Sequence, residues 1–402
     1  MSRAGLSLSF VAALACAACE ADVTGPVRTL AVAWDAEAHQ YTLSPVRLAT
    51  ITSLRHLRGG AGTVLGGGSF QTQQALINAK GATVEGLRGK LTLSSASDVD
   101  VAFDLQNNVA YPANIDSLQL VTAFYNLEQA RAAFNTWGLS GLPPALIVFG
   151  ADVKDEAGHP ALASNELYLQ SLATHFVPAP TATTQLPLAM NQGAMAHSLT
   201  HQAAAVFAWS SAPAPTTDQG PAKDADWNTT RHSTRSMTEG LADFVAAAVT
   251  QDARWLDHSS QQQAASRALD SLRCGTSDML KALSSDDATA PYDPYPLGTV
   301  LGAALWEASG AGQPEVIAAG ALGALAKWKA AAAAAGGKLG LADALEAIVA
   351  ATDGDERPSL CGILLDRFAA LSVSSLPSCD GVAPTKPTDT CACPADQPGG
   401  CP

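Results

Sequence analysis

The sequence is short of positive charge. Its 402 residues hold 23 Lys and Arg against 37 Asp and Glu, a net charge of −14. Binding to phosphate backbones needs a basic surface, so nucleic acid is not expected as a partner. Charge of either sign is scarce, at 15% of residues, while 47% are hydrophobic. That balance excludes a disordered acidic protein and is ample for a large core. Long apolar runs are also missing. Beyond the first residues no uninterrupted apolar segment reaches about 18 residues, the length a membrane-spanning helix needs. The chain has no Gly-x-Ser-x-Gly nucleophile elbow. Its glycine-rich stretch "RGGAGTVLGGGS" lacks the Lys-Ser/Thr of a phosphate loop and reads as a flexible turn. No repeat of fixed period is present.

Among the features present is a leader. Arg3 forms a one-charge n-region, and Leu6 to Ala18 an apolar stretch too short to span a bilayer. Residues 1–21 therefore read as an export signal. Cys16 and Cys19 follow small residues, as in a bacterial lipoprotein cleavage box. The usual Leu three residues upstream is replaced by Ala13 for Cys16 and by Cys16 itself for Cys19. The expectation is a cell-envelope lipoprotein, with a freely secreted protein as the alternative, and membrane contact only through the anchor. Six further cysteines remain: Cys274, Cys361, Cys379, Cys391, Cys393 and Cys401. An even number in an exported chain predicts disulfides.

Periodicity predicts an α+β fold. Residues 22–109 alternate like strands, as in "RTLAVAW" and "GKLTLSSASDVDVAFDL", and form a β-rich N-terminal region. Residues 110–376 read as a mainly helical domain with a small mixed sheet, and 377–402 as an irregular Cys/Pro-rich tail. Within the helical part, "ALIVFG" (145–150) is a buried strand. Residues 165–177 are one or two strands, or a helix. One helix is expected over about 188–209, a loop over 210–235 and a second helix over 237–251. Helices are also expected through 259–283 and 298–350, with a last one near 360–371.

The first of those helices carries His197 and His201 in "GAMAHSLTHQ", one turn apart and on one face. Apolar residues on both sides mark it as central. Buried imidazole nitrogens need partners, which a shared zinc or two separate hydrogen bonds would supply. The second helix holds Glu239 and Asp243, also four apart, in "SMTEGLADFVAAAV" with no Lys or Arg within a turn. Ser236 and Glu239 match a capping box, which gives Glu239 an alternative role. Asp243 has no such explanation, and a buried carboxylate requires a cation or a strong donor. Zinc held by His197, His201 and Glu239, with Asp243 orienting one imidazole, satisfies all four residues. The other histidines, His39, His56, His159, His175, His232 and His258, sit in loop-like or strand-like contexts and are expected to be solvated.

"HSLTH" followed by "TEGLADF" resembles the thermolysin- and fungalysin-like zinc metallopeptidases, the gluzincins. Their motifs are His-Glu-x-x-His and a later Glu four residues before Asp. "LVTAFYNLEQARAAF" and "DPYPLGTVLGAALWEA" extend the resemblance over about residues 110–310. It implies a zincin-like domain with zinc on His197, His201 and Glu239. It also implies a transition-state donor near Tyr292 or Tyr295, with Tyr295 the better placed. The departure is Ser198, which stands where the family has its general base. Serine does not ionise near neutral pH and is too short to reach a zinc-bound water. The resemblance then implies a pseudopeptidase that binds a peptide or protein ligand. Two alternatives stand beside it: a divergent active enzyme using another base such as Glu166, and a metal-free structural lipoprotein.

Overall fold

The protein was analysed as a computed structural model that describes residues 22–71, 96–154, 167–169, 174–177, 186–209, 225–284, 292–310, 314–335, 339–383, 385–387 and 389–391. The leader with Cys16 and Cys19, and also His159, Glu166, Cys393 and Cys401, lie outside the described residues. The fold is α+β, with a strand-rich N-terminal part followed by helices.

Two sheets dominate the N-terminal part. Strands β1 (Val27–Asp35) and β2 (Gln40–Leu48) form an antiparallel hairpin. β8 (Phe103–Gln106) and β9 (Val109–Pro112) extend it to the order β2-β1-β9-β8. Val27, Ala31 and Ala110 lie on its buried side, and the alternate residues point the other way, as the period of two requires. The second sheet contains β3 (Ile51–Ser53), β4 (Arg58–Gly59), β5 (Gly62–Gly66), β10 (Ala145–Phe149), β12 (Leu167–Leu169) and β13 (Thr174–Val177), in the order β12-β13-β10-β5-β4-β3, with β7 (Ser97–Asp98) pairing β5; β6 (Ser69–Gln71) and β11 (Asp152–Lys154) form a separate parallel pair. β5 pairs with β10 in parallel, so strand pairing crosses the boundary expected at residue 109. The stretch read as one or two strands or a helix contains β12 and β13, which pair antiparallel.

Helix α1 (Ile115–Thr136) starts at Asn114, whose side chain accepts from the Ser117 amide, and packs between the sheets and the later helices. The central layer is α2 (Gln192–Ala203), continued by a π turn at 204–208, and α3 (Ala225–Thr250). α4 (Gln261–Arg267) and α5 (Ser277–Ser284) follow, separated by non-helical residues 268–276, where continuous helix was expected. α6 (Tyr295–Ala308) lies against α3 at backbone contact. A β-carbon on Gly240 would stand 2.2 Å from the Gly298 carbonyl oxygen, so only glycine permits this crossing.

α7 (Pro314–Ala334) is the one described helix long and apolar enough to cross a membrane. Its Ile317, Leu325 and Trp328 are fully buried, and the Trp328 indole donates to the Ala344 carbonyl of α8 (Leu341–Ala351), as in a core helix. α9 (Glu356–Arg367) closes the chain of helices. Disulfides Cys274–Cys391 and Cys361–Cys379 tie the C-terminal segment to this layer. Buried Arg367 supports the same attachment by donating to Glu307 Oε2 (2.6 Å) and to the Asp389 carbonyl (2.9 Å).

Candidate metal centre

The site begins at the start of α2. Asn191 caps the helix, its Oδ1 accepting from the Ala194 amide at 3.2 Å. The Asn191 amide nitrogen donates to the Trp255 carbonyl and Ser259 Oγ, while the Tyr41 hydroxyl donates to Asn191 Oδ1 and accepts from the Gln192 amide. The β1–β2 hairpin thus grips the end of the helix that presents His197 and His201.

α3 starts at Ala225, twelve residues before the expected start and inside the expected loop. Ser236 is therefore mid-helix and caps nothing; its hydroxyl pairs with Tyr292 at 2.8 Å. The capping-box role for Glu239 is gone, and its carboxylate faces the histidines instead. Glu239 Oε2 lies 3.4 Å from both His197 Nε2 and His201 Nε2, and the two nitrogens are 3.1 Å apart. Donors at roughly 2 Å from a tetrahedral ion are separated by about 3.3 Å. The three edges match that spacing. Glu239 Oε2 is buried and has no hydrogen-bond donor. The side chains are 13%, 21% and 17% exposed for His197, His201 and Glu239, so the cluster keeps some access to solvent.

Asp243 sits one turn further along α3. Its Oδ1 is 3.0 Å from His197 Nδ1, which places the imidazole proton on Nδ1 and leaves the Nε2 lone pair aimed at the cluster. When His201 Nε2 is also unprotonated, it and Glu239 Oε2 bring three acceptors together at one point. A shared proton or a metal ion removes the mutual repulsion. The charge partner that sequence proximity did not provide is Arg267, at the end of α4. Its guanidinium grips both Asp243 oxygens, Nε to Oδ2 at 3.1 Å and Nη2 to Oδ1. Its face lies over the Tyr295 ring, 4.4 Å from the centroid, and 5.4 Å from that of Trp255. Trp255 in turn stacks on His197 and fills the space above Gly193. Tyr295 thus adjoins the cluster through Arg267, while Tyr292 stacks on His232.

The electrostatics follow from these contacts. Burial alone would lower the His197 pKa, but Asp243 and Glu239 outweigh it and hold it above the ordinary imidazole value. Burial would raise Glu239, yet His201 and His197 bring it well below the usual carboxylate range. Asp243 is likewise lowered, against its burial, by Arg267 and His197.

Ser198 points away from the cluster. It is buried, and its Oγ lies 2.6 Å from His175 Nδ1 on β13. His175 Nε2 lies 2.9 Å from Gln202 Oε1, and the Gln202 amide nitrogen donates to the Pro143 carbonyl. That chain fixes the protons: Nε2 donates, Nδ1 accepts, and the serine hydroxyl donates to it. Burial pushes the His175 pKa down to about 4.

Two expectations for the remaining histidines are corrected. His175 and His232 are each 1% exposed, not solvated. His175 comes from a strand against α2. His232 lies within the earlier part of α3, with Nδ1 bonded to the Leu283 carbonyl. His39 is exposed, and His56 and His258 are partly so. Sequence reasoning missed Arg267, Trp255, Tyr41 and His175 as parts of the site. The only signal for Arg267 was the unpaired buried carboxylate, because the arginine lies 24 residues away. Compared with known protein families and with curated proteins, the chain matches none.

Proposed function

We propose that this chain is an exported pseudopeptidase of gluzincin type, which binds zinc through His197, His201 and Glu239 and does not hydrolyse peptides. The observation that carries the reading is the convergence of two imidazole Nε2 atoms and an orphaned carboxylate oxygen at tetrahedral spacing. Two imidazoles and one carboxylate suit zinc. Three protein ligands leave a fourth position open, as in catalytic rather than structural zinc sites.

Zinc bound here would supply Lewis acidity towards a water or carbonyl. The chain's own residues hold the ligands: Asp243 keeps the proton on His197 Nδ1, and Arg267 keeps Asp243 ionised and fixed. No base is presented by Ser198, whose hydroxyl is committed to His175. Loss of a general base costs about 10²–10⁴-fold in rate. A site that retains the ligands and lacks the base suits binding of a peptide or protein segment. The disulfides agree with an oxidising, extracytoplasmic location, and the leader adds lipid anchoring to that reading.

Purified protein should contain zinc, or take it up in proportion of one ion per chain, and Glu239→Ala should abolish uptake. Protein that binds no zinc overturns the reading. Peptide turnover by the wild-type chain, lost in Glu239→Ala, would replace it with an active enzyme.

A further inference from the structure

Among the described residues, one face of the first sheet is left partly uncovered. In the β1–β2 ladder Arg28 stands opposite Arg47, Leu30 opposite Pro45 and Val32 opposite Leu43. β9 adds Val109 beside Arg28 and, two residues on, Tyr111 on the same side. Leu43 is 57% and Tyr111 37% exposed. Pro45 is also exposed, and Leu30, Val32 and Val109 are half-buried. Further along this side, Trp34 and Tyr41 are covered by the segment carrying His258, so the open area is the remainder of the face.

Two features of this face call for a partner. Apolar side chains from three adjacent strands form one patch. Beside it, two arginines face each other directly across the strands, an arrangement that destabilises an antiparallel pair. Acids outnumber bases in this chain, yet among the described residues neither arginine has an ion-pair partner. The one acid placed on this face is Asp104, opposite Tyr111 on the far edge strand β8. Paired guanidiniums bordering an apolar patch fit a surface that is both anionic and apolar. A second copy of the chain fits poorly, since a two-fold interface would bring four arginines together.

We propose that this face rests on an anionic membrane surface, with Leu43, Pro45 and Tyr111 at the headgroup layer and Arg28 and Arg47 on lipid phosphates. The covalent reach agrees. Cys19 lies nine residues before Arg28, a span of at most about 30 Å, so a chain lipidated there would be held with this face close to the bilayer. The inference goes beyond the metal site and does not depend on it.

The test uses the chain from residue 22, which carries every described residue and neither leader nor lipid. Its binding is measured by flotation with phosphatidylcholine vesicles containing or lacking phosphatidylglycerol. Binding should require phosphatidylglycerol and should weaken with salt. Arg28→Gln/Arg47→Gln should weaken it roughly 30-fold, at about a fivefold loss per basic residue near the surface. Leu43→Ser should weaken it further. Neither variant should melt earlier or lose zinc, since the altered side chains are exposed and the arginine change removes a repulsion. Equal recovery with both vesicle types, or undiminished binding by the double arginine variant, overturns the proposal. So does a dimer in sedimentation that the same substitutions dissociate, because the face would then be an interface between copies.

Discussion

Asp243 shows how much one side chain can decide. It orients His197, which the proposed ligands His197, His201 and Glu239 cannot do alone, and it is held in turn by Arg267. Replacing it with Asn keeps the size and removes the charge. Asp243→Asn should then leave Arg267 buried without a counter-charge and give His197 Nδ1–H only a neutral amide oxygen in place of a carboxylate. Loss of such a partner to a ligating histidine weakens metal binding about 10–100-fold, measurable by competition with a chromophoric chelator; unchanged affinity would show that Asp243 does not act through His197. The need for a cation at Asp243 was legible in the sequence, but its source was not. Local reasoning inspects one helical turn, and the partner arrives from another helix through the fold. Ser198 gives a second case. In the gluzincin reading its identity marks the absence of the base, while its bond to His175 depends on strand placement that no spacing along the chain reveals. That bond also constrains rescue. Ser198→Glu would have to break a buried hydrogen bond to reach the cluster, so any activity gained in that variant should be accompanied by lower stability, seen in thermal unfolding.

At the scale of elements, the Ser198–His175–Gln202 relay couples β13 to the helix that presents the histidines. His175 is neutral when folded, with a pKa of about 4 against the ordinary 6.5. A depressed histidine pKa contributes stability that is fully present above about pH 6.5 and is lost as pH falls towards 4. A shift of this size corresponds to roughly 3 kcal/mol. His232 has the same sign, with burial and the neighbouring Arg231 pushing its pKa down to about 4, whereas His197, raised by its carboxylates, acts in the opposite sense. Comparing wild type with His175→Asn cancels those contributions. The variant should be less stable at pH 7, with a gap that narrows as the pH approaches 4 in denaturant titrations; a gap independent of pH would mean that His175 does not carry the acid sensitivity. Periodicity made α2 and most of the helical layer readable. It placed the start of α3 twelve residues late, because 225–236 is polar in sequence yet helical in the fold, where Thr230, His232, Thr234 and Ser236 are buried. Gly240 read as part of a motif; its reason is the backbone contact with Gly298, which only the crossing of two helices creates.

Over the whole molecule, covalent closure and core burial divide the work differently from what the sequence suggests. The strand-rich and helical parts share one hydrophobic core and one sheet, because β5 finds its neighbour β10 some eighty residues on. Pairing between distant strands leaves no local mark in a sequence. Cysteine parity did leave one, in that disulfides were expected, but their connectivity depends on three-dimensional proximity. The two bonds close spans of 117 and 18 residues. If restriction of the unfolded chain is the main effect, they contribute about 5 and about 3 kcal/mol. The longer one should count for more, and it has a second consequence. It holds Cys391 beside the loop at Cys274, which keeps the Asp389 carbonyl on the buried Arg367 guanidinium. Cys274→Ser/Cys391→Ser should therefore lower the unfolding free energy by several kcal/mol in denaturant titration, with little change in zinc affinity. The bond and the ligand cluster share no residue, and helices α3 and α6 between them are anchored by their own glycine contact. A matched loss of stability and zinc would instead show that the C-terminal closure holds the helices carrying His197, His201 and Glu239 in register.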